Sequence, residues 1–323
     1  MKAWVVVLLG YGWAALAWGG TGMVPRPAPT PYPRTDLNLA VEGIPLDPAM
    51  GLASWTALVP LPPSKPGRAP EFMALGEMVL LSGEVPQARL ELKKQGFQEN
   101  ALFSPFPNGS PAVQRLSFSG RGPQVRMGEG LQVLGRFLTR FRPRPTKTPA
   151  LIAHQATLTP SPTPHPLKGA EALWPQVEAL LGPGVREGKV LSYSFPRKEK
   201  ILKDGLELPG SLGWGTELHF QKVEGLVVGE KRPLGLVSKA TQPVIAVTGR
   251  LVLSEEESAM VKAVSAHRGF ICLESPPPFS DLTPRFHFFD LWAVGRPQEV
   301  AQALKEMLGP AALSQAAPQA PTP

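Results

Sequence analysis

The chain has 323 residues, of which 43% are hydrophobic and 18% charged, and its 33 Lys and Arg against 26 Asp and Glu give a net charge of +7. Gly (32) and Pro (39) make up about a fifth of it, without a collagen period or heptads, which excludes a triple helix, a coiled coil and a charge-driven disordered chain. One cysteine, Cys272, excludes a disulfide scaffold, and the length suits two domains that can each bury a core.

Met1 and Lys2 lead into an apolar run from Ala3 to Ala17 that ends Ala15-Leu16-Ala17. This has the form of a secretory signal peptide over 1–17, the alternative being an uncleaved anchor. No cysteine stands just after the run, so lipid anchoring is not expected. Residues 18–30 read as a proline-rich spacer, 31–142 as a first repeat domain, 143–168 as a Pro/Thr-rich linker, 169–310 as a second repeat domain and 311–323 as a disordered tail.

Two domains are expected because the chain resembles itself at an offset of 173. Gly76, Val79, Leu80, Glu84, Gly96, Phe97, Gly122 and Leu131 meet Gly249, Val252, Leu253, Glu257, Gly269, Phe270, Gly295 and Leu304. Earlier in each half Tyr32-Pro33-Arg34 resembles Phe195-Pro196-Arg197, and residues 42–51 resemble 204–213. The spacing there is about 162, which places an insertion of roughly ten residues in the loop before Val244.

In chain order, the first unit should contain a hairpin arm, a strand over 72–81, a helix over 83–95, strands over 97–103 and 113–120, and a helix over 125–141. Phe137 and Phe141 mark the buried face of that last helix. The second unit opens with a short helix and a strand ending at Arg197, followed by an arm and a core strand over 244–254. Ser254 with Glu257 is a capping box for a helix ended by Gly269. Strands at Phe270–Glu274 and Arg285–Val294 follow, with Asp281 in the turn between them. The final helix presents Val300, Ala303, Leu304 and Met307 on one face. This order predicts an α+β protein, mainly antiparallel sheet with helices on one face, of the ferredoxin-like plait type.

The chemistry legible in the residues is sparse. Gly184, Gly188 and Lys189 lack the spacing and the hydroxyl of a phosphate loop. His154, His165, His219, His267 and His287 show no metal-ligand spacing, and alternation puts His287 and Asp290 on opposite faces of their strand. No Ser, His and acid set can be nominated, Cys272 reads as a small buried residue, and no cofactor is expected. Trp55, Trp174, Trp214 and Trp292 read as core residues, with stacking on sugars as the alternative. Arg136, Arg140, Arg142, Arg144 and Lys147 concentrate positive charge where helix runs into linker. They suit an anionic envelope polymer or simply a solvated helix end, and without a stacking grid no specific nucleic-acid binding is expected.

The segments WPQVEALLG, YSFPRKEKI, KDGLELPGSLGWGTELHF and VTGRLVLSEEES resemble the bacterial exported family of unknown function typified by the LppY/LpqO lipoproteins. The resemblance implies tandem domains, a strand ending Ala-Leu-His-Asn-His, and a further His on the next strand. At the matching positions stand Phe103 and Pro105 with Ser117 in the first copy, and Glu274 and Pro276 with Asp290 in the second. The expectation is therefore a non-catalytic binding or structural module of the cell envelope, whose partner is an anionic polymer or an envelope protein. It would touch membrane only through the N-terminal segment, if that is uncleaved. The alternative is a metal-dependent or acid–base enzyme in which Glu274 and Asp290 replace the histidines, which requires the two carboxylates to converge.

Overall fold

The computed structural model describes residues 29–62, 69–106, 108–140, 173–203, 206–208, 212, 214–223 and 244–313. The expected signal segment, the linker, the loop insertion before Val244, and Arg142, Arg144, Lys147, His154 and His165 lie outside the described residues.

The N-terminal half contains β1 (Thr30–Pro33), β2 (Ala40–Val41), β3 (Ile44–Pro45), β4 (Ala53–Pro60), β5 (Glu71–Leu81) and α1 (Val85–Gln95). It continues with β6 (Gln98–Phe103), β7 (Gly109–Ser110), β8 (Val113–Pro123) and α2 (Gln124–Thr139). The C-terminal half begins with α3 (Leu173–Leu181), β9 (Val185–Glu187), β10 (Val190–Pro196), β11 (Leu202–Lys203), β12 (Leu206–Glu207) and β13 (Gly215–Val223). Then come β14 (Val244–Leu253), α4 (Glu255–Arg268), β15 (Ile271–Ser275), β16 (Leu282–Thr283), β17 (His287–Gly295) and α5 (Pro297–Leu313). The protein is α+β, and its strand pairings are antiparallel.

The main sheets have the orders β1-β4-β5-β8-β6 and β9-β10-β13-β14-β17-β15. The part of each that follows the expected plait is the run β5-β8-β6 or β14-β17-β15. The outer strand, β4 or β13, precedes that run in the chain instead of following the last helix. It pairs with the strand that comes next in sequence, the usual outcome for consecutive antiparallel strands. Two small sheets, β3-β2-β7 and β12-β11-β16, form one arm in each half.

Both faces of the central strands are buried, which is why β5, β14 and β17 read as nearly continuous apolar runs. One face packs on helices: Ala74, Met78 and Leu80 against α1 and α2, and Val247, Leu251 and Leu291 against α3 and α5. The expected stripe of α5, Val300, Ala303, Leu304 and Met307, is buried there. The other faces of the two sheets meet each other. Leu39, Val41, Ile44 and Leu46 of the first arm pack on Val244, Ala246 and Trp292 of the C-terminal sheet. Ile201, Leu208, Leu212 and Trp214 of the second arm pack with Ala57, Val59, Met73 and Leu75 of the N-terminal sheet. Each arm therefore crosses to the opposite half.

Close approach explains the paired glycines. A Cβ on Gly76 would lie 2.6 Å from the Trp55 carbonyl, and one on Gly249 would run into that of Glu217. Gly96 and Gly269 end α1 and α4 in the left-handed conformation, as expected. Ser254 Oγ accepts from Glu257 N while Glu257 Oε2 accepts from Ser254 N, so the capping box is closed. Ser254→Ala should cost about 1 kcal/mol, read as a lower denaturation midpoint. An unchanged midpoint would show that the box contributes nothing.

Candidate functional site in the polar cleft between the sheets

Period-two alternation aims Glu77 of β5, Arg115 and Ser117 of β8, Glu217 and His219 of β13, Arg250 of β14 and Asp290 of β17 into the space between the sheets. Glu77 and Arg250, which correspond at the offset of 173, touch: Arg250 Nη1 donates to Glu77 Oε2 at 2.8 Å. Arg115 Nη1 lies 3.5 Å from Glu77 Oε1 and 3.8 Å from Asp290 Oδ1, and Arg250 Nε is 3.6 Å from Asp290 Oδ1. Arg115 Nη2 also donates to the Gly51 carbonyl at 2.9 Å, and the Arg250 guanidinium lies 5.1 Å from the Phe103 ring centroid.

Two cations and two anions thus form a lattice that joins the halves. Burial opposes ionisation of Glu77, but Arg250 and Arg115 outweigh it and hold its carboxyl below the usual range. The hydrogen bonding is incomplete: Arg115 Nε, Arg250 Nε and Nη2 and Asp290 Oδ2 are four of the six buried side-chain polar atoms without a hydrogen-bond partner among the described residues.

Glu217 and its cross-strand neighbour Ser194 are exposed, although the strands that carry them are otherwise largely buried. Protein crowds Glu217 closely enough for burial to raise its pKa, with Arg250 and Arg115 opposing and Glu77 reinforcing. The neighbouring His219 shares a 3.0 Å hydrogen bond between Nδ1 and Ser192 Oγ. Burial, reinforced by Arg115, pushes the His219 pKa down to about 4 and leaves the ring neutral at physiological pH.

Of the residues at the positions where the resemblance implies histidines, the structure brings three together: Phe103 against Arg250, buried Ser117 opposite Glu77, and buried Asp290 in the lattice. Pro105 is buried in the turn after β6, and Pro276 is exposed after β15. Glu274 does not join them. It pairs in register with Phe289, one residue beyond the Leu273–Asp290 pair, so it faces the other side of the sheet. There it binds Lys262 of α4 at 3.1 Å and His287 at 2.9 Å. The expected convergence of Glu274 and Asp290 is therefore corrected, and the strand position equivalent to Phe103 is Ser275.

Trp214 and Trp292 are buried, while Trp55 and Trp174 are half-buried against the cores. Burial raises the thiol pKa of half-buried Cys272 to about 11, which makes it a poor nucleophile. Arg136 and Arg140 are exposed near the end of α2, Arg140 resting 5.3 Å from the Phe137 ring. Among the described residues no group of three or more His, Cys, Asp or Glu could hold a metal, and no helix is long and apolar enough to cross a membrane.

Sequence reasoning missed Glu77, Arg115, Glu217 and Arg250. A signal was present: a Glu and an Arg occupy equivalent positions inside apolar strands, each directly after a matched glycine.

Residues 22–134 match the family described as Domain of Unknown Function (DUF1259). No curated protein and no solved structure matches the chain.

Proposed function

We propose that the chain is an exported, LppY/LpqO-like protein whose halves are two copies of one domain, acting as a non-catalytic binding or structural module of the cell envelope. The observation that carries this reading is what stands at the family's histidine positions. Ser117 and Asp290 sit in or beside a cross-half lattice whose charges neutralise one another, instead of imidazoles free to exchange protons. The nearby His219, with its pKa near 4, is a weak proton acceptor at neutral pH.

Duplication is supported by contacts that recur at equivalent positions. Arg34 binds Asp36, Glu84 and the Val79 carbonyl, as Arg197 binds Glu199, Glu257 and the Val252 carbonyl. Ser54 accepts from Val79 N, as Thr216 accepts from Val252 N. Export is supported by the apolar run from Ala3 to Ala17.

The partner we favour is an anionic envelope polymer docking on Arg136, Arg140, Arg142, Arg144 and Lys147. Replacing all five by Gln should weaken co-sedimentation with polygalacturonate by about tenfold or more at low salt, and added salt should weaken wild-type binding in the same direction. Equal co-sedimentation of variant and wild type would overturn the polymer reading.

A further inference from the structure

Where the first arm meets the C-terminal sheet, the structure leaves a cavity of about 510 Å³, a size typical of small-ligand sites. Ile44 and Leu46 of the arm, Leu173 of α3 and Val223 of β13 give it an apolar wall. Trp174 lines it too. This side chain packs on the helix-side core yet stays half-buried, so part of its indole is open to the cavity. Lys222 of β13, Lys189 in the turn between β9 and β10, and Asp47 after β3 bring charge to the same space. Pro45 and Lys189 are exposed, so the cavity opens to solvent beside them. Buried Gln221 holds its shape from behind: Nε2 donates to the Pro45 carbonyl at 2.7 Å and Oε1 accepts from Asp47 N at 2.9 Å. Both ends of that amide are engaged with the arm, which leaves recognition of a ligand to the indole and the charged side chains.

We propose that this cavity binds an acidic sugar, a hexuronate unit, with its ring on Trp174 and its carboxylate at Lys189. The inference rests on the reading of an anionic envelope polymer as partner, and gives that polymer a site for one of its units apart from the basic segment.

A sugar ring is amphipathic: its C–H faces suit an indole and an apolar wall, while its hydroxyls stay at the edge. Two ammonium groups against one carboxylate give the cavity a positive balance, which favours an anion. Lys189 has no ion-pair partner among the described residues, so it is the charge most open to a ligand. Asp47 Oδ1 accepts from Ala49 N at 2.9 Å, and Oδ2 is left to accept from a sugar hydroxyl. A wholly apolar ligand, such as an acyl chain, would cover Lys189 without pairing it and leave Asp47 Oδ2 without a donor. A neutral sugar would keep the stacking and lose the ion pair. An inorganic anion would pair with lysine and leave the indole and the apolar wall in water.

The test uses the full chain with Arg136, Arg140, Arg142, Arg144 and Lys147 already replaced by Gln, so that an acidic probe reports on the cavity and not on the basic segment. Digalacturonate is titrated by saturation-transfer NMR beside its dimethyl ester, which keeps the rings and removes the charge, and beside dodecanoate. Digalacturonate should bind, and the ester and dodecanoate should each bind about fivefold or more weakly. Lys189→Glu, an exposed change in a turn, should weaken digalacturonate binding by about tenfold or more with an unchanged melting temperature. Trp174→Leu, which keeps an apolar side chain against the core, should weaken digalacturonate and its ester alike, by about threefold or more. Absence of digalacturonate binding, an ester or dodecanoate that binds as tightly, or binding indifferent to Lys189→Glu or to Trp174→Leu would overturn the proposal. Co-sedimentation of polygalacturonate compares wild type with the five-Gln protein and so reads the basic segment; it can fail while digalacturonate still binds, and the reverse.

Discussion

Arg250→Ala is expected to destabilise the protein by about 3–5 kcal/mol, because it removes one partner of a buried ion pair and leaves the other uncompensated. Glu77 is 3% exposed and Asp290 also 3%, so neither carboxylate can recover hydration by a small side-chain movement. Arg115 alone, 3.5 Å from Glu77 and 3.8 Å from Asp290, would face two anions. The pH dependence should then invert. In the wild type the folded-state pKa of Glu77 is depressed, so its contribution is full above the ordinary carboxylate range and is lost as pH falls through the depressed value. Without Arg250, burial dominates and raises that pKa, so stability is highest in acid and falls as pH rises through the raised value. Denaturant titrations at acid and neutral pH check this, with Glu77→Gln in the Arg250→Ala background expected to restore much of the loss. A variant as stable as wild type at neutral pH would mean that the lattice does not join the halves.

The second large effect is expected at Arg34, which is 1% exposed. Its Nε and Nη2 donate to the two Asp36 oxygens, both at 2.8 Å, while Nη1 donates to Glu84 Oε2 at 2.8 Å and to the Val79 carbonyl at 2.7 Å. Arg34→Ala should cost about 3–5 kcal/mol. Lysine should not rescue it, because an ammonium cannot reproduce the paired geometry. Arg197 makes the corresponding bonds, but its side chain is 14% exposed and Glu199 is 41% exposed, so water replaces more of what is lost. Its alanine variant should cost about half as much. Equal losses, or a reversed order, in parallel urea titrations would refute the burial argument.

The elements that sequence periodicity carries were legible. Ser254, Glu257 and Gly269 mark the ends of α4, the buried stripe of α5 lies where its spacing puts it, and Asp281 sits at φ 63° in the turn before β17. What failed was register. Matching the motif by residue type sets Glu274 against Phe103, whereas the strand ladders set Ser275 there, so the match is one residue out of register. In a strand one residue is the whole difference between facing the cleft and facing away, and Glu274 was lost from the site in this way. Glu217 and His219 gave no local signal. They become a site only when β13 pairs with β10 and β14 and the N-terminal sheet closes over them, and sequence spacing does not encode that juxtaposition.

The contact between Glu77 and Arg250 has a consequence for ancestry. Under the proposed duplication, two equivalent residues that touch lie on the pseudo-twofold axis relating the copies. In a homodimer of a single-domain ancestor, the residue at that point would meet its own twin, and two like charges buried together repel. Opposite charges become possible there once the two copies diverge independently. The pair therefore records a broken symmetry: each half now carries a surface complementary to the other and no longer to itself.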